Sequence, residues 1–268
     1  MLKDITLGQY FPGNSVAHKL DPRTKILLVT LYIIALFSAK GLVGYAVMIA
    51  TLAACVKVSH VGLKSLVRGL KPLVVIIVFT GVLNVFFTPD THYLWEWGIL
   101  RISVKGVENA LFMVVRIMLL VMGTFLMTYT TSPIRLTDGL ESLLNPLKKI
   151  HVPVHELAMM MAIALRFIPT LIEETDKIMS AQKARGADFD SGNIFQKAKA
   201  LVPILVPLFI SAFRRADELA TAMECRCYHG GEGRTKLHVL KYQRRDYVAL
   251  AGGVVILALV VVLRRLGI

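Results

Sequence analysis

The apolar residues of this chain stand in long runs with the charges collected between them, and that segregation limits the fold more than any single motif does. A soluble chain that is 55% apolar would have to bury nearly all of that surface. Segregated runs instead mark a chain that uses lipid as one of its solvents. The net charge of +13 has two ordinary explanations, nucleic acid or membrane. Here the aromatic residues fall mostly inside the apolar runs, not among Lys and Arg, and no nucleic-acid motif is visible. The membrane is the better fit. Residues Met1 to Arg23 contain no continuous apolar h-region, so no signal peptide is expected. Three cysteines, Cys55, Cys225 and Cys227, with one of them inside an apolar run, do not make a disulfide framework.

The first helix start is well marked: Asp21 is a good N-cap and Pro22 suits the first helical position. The run Ile26–Ala39 follows, with Lys25 and Lys40 placed to snorkel toward the two interfaces. A second run, Leu42–Val56, begins just after Gly41. Both are shorter than the roughly 20 residues of a standard crossing, and they read as two thin spans joined tightly at Lys40-Gly41. Between Ser59 and Lys71 the apolar Val61, Leu63, Leu66, Val67 and Leu70 alternate with Lys64, Arg68 and Lys71. That pattern fits a short basic amphipathic helix at the headgroups or a charged connector. Pro72–Phe87 is a third crossing, followed by Trp95 and Trp97 in a loop suited to the aromatic belt. The fourth, Ala110–Thr130, carries Arg116, a charge expected to face protein or water. Tyr247–Leu263 is the last.

Residues 131 to 246 hold 17 of the 31 basic residues and 13 of the 18 acidic ones. Their apolar stretches, Leu157–Leu165 and Leu201–Phe213, look too short to span, and Pro203 and Pro207 are expected to interrupt the second. Long amphipathic helices outside the bilayer suit this mixture better. Four preceding crossings put this section, the N-terminus and the basic stretch Lys57–Lys71 on one side. The opposite loops hold only Lys40, Arg101 and Lys105, so the positive-inside bias makes the shared side cytoplasmic. Arg264 and Arg265 at the far end run against it.

Two segments of this section repeat one plan. The first, Val154–Arg185, ends Ala184-Arg185-Gly186; the second, from about Pro207, ends Cys225-Arg226-Cys227. A shift of 41 aligns Asp176 with Asp217, Ile178 with Leu219 and Arg185 with Arg226. Gly186 can stop the first helix in a left-handed conformation. Taken singly, an arginine at a helix C-terminus is an ordinary complement to the dipole. Small neighbours on both sides let the tip enter a groove and let the guanidinium meet a carboxylate bidentately. Two such tips suggest docking onto two related partners.

The strings SPIRLTDGLESLLNPLK (132–148), VPVHELAMMMAIALRFIPTLIEE (152–174), AQKARGADF (181–189) and RRADELATAMECRCYHGGEGRT (214–235) resemble the transmembrane T component of energy-coupling factor (ECF) transporters. The opening HKLDPRTK (18–25) is similar to that family as well, so the resemblance covers most of the chain. It implies a non-catalytic subunit with no cofactor or metal of its own, in the cell membrane, between two ATP-binding cassette ATPases and a substrate-binding S component for a vitamin or metal ion. It further implies that two Ala-Arg-Gly-like motifs end the coupling helices and that each arginine docks into one ATPase. Carried over, Ala184, Arg185 and Gly186 match the first motif, and Cys225, Arg226 and Cys227 stand at the second. There Cys225 replaces Ala, and Cys227 replaces Gly where the backbone must turn.

Other motifs lead nowhere chemically. His155-Glu156 lacks the second histidine of a zinc-protease helix, since Met159 stands at that position. Gly230-Gly231-Glu232-Gly233-Arg234-Thr235 lacks the spacing and lysine of a phosphate loop, so ATP must come from partners. Cys225, Cys227 and His229 alternate but do not complete a tetrahedral metal set. The expected architecture is all-α and polytopic: about five transmembrane helices, with a cytoplasmic module of three long coupling helices. It divides as residues 1–130, 131–246 and 247–268, the first coupling helix spanning about Ser132–Lys148. The rival readings are a multipass membrane enzyme, which needs acid/base or metal residues clustered at one depth, and a stand-alone secondary carrier, which needs paired broken helices within the membrane.

Overall fold

The computed structural model describes residues 10–87, 93–97, 100–187, 189, 193–231 and 239–266. Their regular secondary structure is helical apart from one small hairpin. In chain order the elements are α1 (Val16–Lys19), α2 (Pro22–Ser38), α3 (Gly41–Ser59), α4 (Leu63–Leu70), α5 (Val74–Phe87), β1 (Tyr93–Trp97), β2 (Leu100–Ser103), α6 (Val104–Thr130), α7 (Pro133–Leu144), α8 (Val154–Ala184), α9 (Ile194–Glu224) and α10 (Arg244–Arg265). The described residues fall into two compact units, one within 10–140 and 240–266, the other within 141–231 and 239.

Among the described residues five helices are long and apolar enough to cross a membrane by length and composition: Gly41–Ser59, Leu63–Phe86, Val104–Thr130, Val154–Ala184 and Arg244–Arg265. The number matches the sequence expectation but the membership differs. With 17 residues, α2 is the short one, at the lower edge of what spans a bilayer. The stretch Leu157–Leu165, too short to span when taken alone, belongs to a single helix of 31 residues that continues through Pro169. Within the segment from Ser59 to Lys71, Leu63–Leu70 is helical: Leu66 and Leu70 are buried while Lys64, Arg68 and Lys71 are exposed, as an amphipathic helix requires. The backbone of Trp95 and Trp97 lies on β1, with Trp97 opposite Leu100.

In the larger unit the core gathers side chains from several helices, including Leu36, Met48, Leu52, Leu66, Leu119 and Val260. Charged residues fasten its helix ends. Asp21 caps α2, its carboxylate accepting from the Arg23 backbone N–H at 2.9 Å and its guanidinium at 2.9 Å. Burial pushes the Asp21 carboxyl up, but the bonds from Arg23 outweigh it and hold the group below its ordinary value. The fully buried Asp246 accepts from the backbone N–H groups of Asp21 and Gln243, each at 2.8 Å, which ties the start of α2 to the start of α10. Arg23 also lies 4.0 Å over the Tyr242 ring.

Lys25 does not snorkel. Its side chain is buried, and Nζ donates to the Thr130 carbonyl at 2.8 Å and to Thr131 Oγ1 at 2.9 Å. The ammonium has turned inward because the C-terminal end of α6 offers it carbonyl oxygens at the negative pole of a helix. Arg116, the charge inside α6, packs 5.7 Å from the ring centroids of Phe37 and Tyr45, against protein as expected.

Asp246 carries two charge-assisted bonds to otherwise unpaired backbone donors, so Asp246→Ala should cost about 3 kcal/mol, mostly as a lower thermal midpoint of the purified chain in detergent. Asp21→Asn should remove a contribution that is complete above the ordinary carboxylate pKa of about 4 and lost as pH falls below it, flattening the acid limb of stability. Midpoints within experimental error of the parent chain would show that these carboxylates do not fasten the helix ends.

Candidate functional site

The candidate site is the pair of helix tips at Arg185 and Arg226, both in the smaller unit. How each helix ends determines where its arginine points. At the first, Arg185 follows the last helical residue, Ala184, and its N–H donates back to the Ala181 and Gln182 carbonyls. Gly186 has φ +88°, its N–H donates to the Lys183 carbonyl at 3.0 Å, and the Ala187 N–H reaches the Gln182 carbonyl at 3.0 Å. This pair of bonds closing over a left-handed residue is a Schellman turn. At the second tip the Cys227 N–H donates to the Glu224 carbonyl at 2.8 Å and the Tyr228 N–H to the Met223 carbonyl at 3.1 Å. Cys227 sits at φ +57°. Both bonds that close the first turn over its left-handed residue recur 41 residues later: 182 with 223, 183 with 224, 186 with 227 and 187 with 228. The cysteine where glycine would be expected therefore adopts the glycine's conformation, at a cost of about 1–2 kcal/mol for a residue with a Cβ.

The helices bearing these tips run antiparallel. Near the loop that joins them, Gln182 Nε2 lies 3.4 Å from the Pro203 carbonyl oxygen. Further along, Arg215 donates to Glu174 at 3.0 Å. Beyond that, Ile163 and Phe167 of α8 share an apolar pocket with Leu219 and Met223 of α9. As α8 numbers fall, their α9 neighbours rise. Glu174 and Arg215 are themselves 41 apart, as are Leu171 and Ala212, which line the same pocket. Equivalent positions thus meet near residues 172 and 213, where a local two-fold relation between the helices would have its axis. From there each arginine lies 13 residues along its own helix, or about 20 Å at roughly 1.5 Å per residue. The directions are opposite, so the tips stand about 40 Å apart at the two ends of the hairpin.

Pro203 and Pro207 do not interrupt α9, which runs unbroken from Ile194 to Glu224. In a helix the Pro203 carbonyl would accept from the N–H of residue 207, and proline has none. The Gln182 amide stands beside that orphaned oxygen and offsets part of the loss. At both tips the site residues are open: Ala184, Arg185, Gly186, Cys225, Arg226 and Cys227 are all exposed. Neither cysteine is in a disulfide. Among the described residues no three His, Cys, Asp or Glu side chains group to hold a metal ion. His155 stands in the first turn of α8, its Nδ1 3.0 Å from Glu141 Oε1. The Glu174–Arg215 contact escaped the sequence reading, although the same 41-residue shift pairs those two opposite charges.

The first coupling helix expected at Ser132–Lys148 is a regular α-helix only over Pro133–Leu144. A tighter 3₁₀ segment, Asn145–Ile150, continues it. Pro146 near the start of that segment cannot donate to the helical ladder, which accounts for the change.

The family model described as "Cobalt transport protein" (CbiQ) matches residues 13–237. Proteins named "Energy-coupling factor transporter transmembrane protein EcfT" are similar to this chain over nearly their whole length. That of Ruminiclostridium cellulolyticum is 52% identical over 263 residues, covering 98% of each chain. That of Clostridium kluyveri is 56% identical over 250 residues, 93% of each. That of Bacillus subtilis is 46% identical over 264 residues, 98% of this chain and 100% of its own.

The two turns should respond oppositely to substitution. Cys227→Gly relieves a Cβ in the left-handed region and should slow hydrogen exchange at the Tyr228 amide. Gly186→Ala introduces one and should open the first turn by about 1–2 kcal/mol, speeding exchange at Ala187 roughly tenfold. Equal responses in the two variants would contradict the shared turn.

Proposed function

Because the chain belongs to the CbiQ family of energy-coupling factor transporter transmembrane proteins, we propose that it is the coupling subunit of such a transporter and docks onto two ATP-binding cassette ATPases through Arg185 and Arg226. It is a multipass membrane transport subunit, and the ATP hydrolysis belongs to its partners. The observation that carries the docking role is the repetition of one exposed arginine-tipped turn at opposite ends of an antiparallel hairpin. Two like subunits present two like grooves, and a hairpin with two like ends can engage both at once. In this reading α8, although long and apolar enough to cross a membrane, lies with the rest of residues 131–246 in a coupling module that shares the cytoplasmic face with the N-terminus, between the transmembrane parts 1–130 and 247–268.

The mechanism follows from that geometry. Each guanidinium is a planar fork that meets a carboxylate bidentately, a fit a lysine ammonium cannot reproduce. When the ATPases close or open, the docked tips move with them, and a hairpin joined at its centre by Glu174–Arg215 converts motion at its ends into motion at the crossing. An S component lying against the module would be reoriented within the membrane, carrying a vitamin or metal ion inward. Selectivity then resides in the S component, and the coupling chain needs no substrate site.

A charge-assisted bond contributes about 1.5–3 kcal/mol, so Arg185→Ala or Arg226→Ala should each weaken ATPase binding about ten- to a hundredfold. Because the tips are far apart, the two losses should add in the double variant. Lysine should rescue poorly at either site. Pull-down of the ATPases and ATP-driven uptake in vesicles measure both effects; a double variant that retains its ATPases and its transport rate sinks the assignment.

A further inference from the structure

Within the larger unit an apolar crevice of about 640 Å³ opens between α1, α2, α3, α6 and α10. Its size lies within the roughly 300–1,000 Å³ of small-molecule sites. The crevice is polarised along its length. At one end stand Lys25, Thr130, Arg244 and Arg245; at the other Ala35, Thr51, Gly123 and Ile256. Along α10 it runs from residue 244 to 256, about 18 Å of helix. Half of a hydrocarbon core is about 15 Å. The crevice therefore reaches from the headgroup level at the start of α10 to about the bilayer midplane, the depth of one lipid leaflet.

Charge at the headgroup end is unbalanced. Arg244 and Arg245 occupy the first turn of α10, the positive pole of that helix, where cations are disfavoured. The one acid in that turn, Asp246, is buried and accepts from the backbone N–H groups of Asp21 and Gln243. Both arginines are exposed. The wall below them also has a gap. A Cβ built on Gly252 meets nothing within 4 Å, whereas one on Gly253 would strike Leu28 at 2.7 Å. Gly253 is explained by its packing against α2. Gly252, which costs helix stability relative to alanine, keeps the crevice open.

We propose that this crevice holds one anionic phospholipid, an acyl chain between α2, α3, α6 and α10 and the headgroup phosphate at Arg244 and Arg245. A partner's apolar helix fits less well, because the cationic mouth calls for an anion at the head of an apolar crevice and a phospholipid supplies both in one molecule. Basic clusters between transmembrane helices at the headgroup level have the chemistry to select anionic lipid.

The test uses the full-length chain purified in mild detergent and equilibrated with an equimolar mixture of dioleoyl phosphatidylglycerol and dioleoyl phosphatidylcholine. Native mass spectrometry should find one retained lipid per chain, phosphatidylglycerol favoured roughly tenfold. Arg244→Gln with Arg245→Gln should bring the two lipids to parity. Gly252→Leu, whose Cβ would meet nothing within 4 Å, puts a side chain into the gap and should lower retention of both several-fold. Should that variant not fold, p-benzoylphenylalanine at position 252 gives an independent readout. Irradiated in native membranes, it should yield a lipid adduct. Absence of headgroup preference in the parent chain, unchanged retention in Gly252→Leu, or an adduct with a polypeptide in place of lipid would each overturn the proposal.

Discussion

A helix that closes on a left-handed residue has a fixed end, and this chain closes two helices the same way. The bonds over Gly186 and over Cys227 join the same relative positions, so Arg185 and Arg226 leave their helices in the same local geometry. Antiparallel pairing then carries the two ends to opposite poles. The Glu174–Arg215 pair marks the centre because its members occupy equivalent positions of the repeat. That contact is partly exposed, so its worth lies in register more than in energy. With the register fixed, each tip stands the same number of residues from the crossing.

The larger unit shows a different use of charge. Asp246 and Lys25 are buried ionisable groups, and each is satisfied by backbone atoms of another element. A buried charge without partners costs far more than it returns, so these groups hold particular helix ends together instead of adding general stability. The apolar helices between those ends gain little from specific pairing in lipid, where neighbouring chains are equally apolar. Fixing helix termini at the headgroup level is then the economical way to define the bundle. It also leaves Arg244 and Arg245 without an acid of their own turn to balance them.

Much of this was legible in the residues. Asp21 with Pro22 announced the start of α2, and the 41-residue shift announced the paired tips. Lys25 was misread, since its flanking position looked like that of a snorkelling lysine. Nothing local shows that the carbonyls ending α6 come within reach of its ammonium. Pro203 and Pro207 were misread as breaks because a proline's lost bond is visible in sequence, while the Gln182 amide beside it on another helix is not. The opposed placement of the tips needed the packing of α8 on α9, although the charges at 174 and 215 were an available hint. Cys227 raised a fair question about the turn. The backbone takes the left-handed conformation regardless, because the helix-closing bonds to Glu224 and Met223 remain available to it.

The docking proposed for Arg185 and Arg226 requires both tips to meet an ATPase at once. Photo-crosslinking residues placed at Ala184 and at Cys225, one beside each arginine, test it in native membranes without removing either guanidinium. Each position alone should capture an ATP-binding cassette subunit, and a chain carrying both should capture two. Capture of lipid alone, or of an ATPase from only one of the two positions, would contradict it.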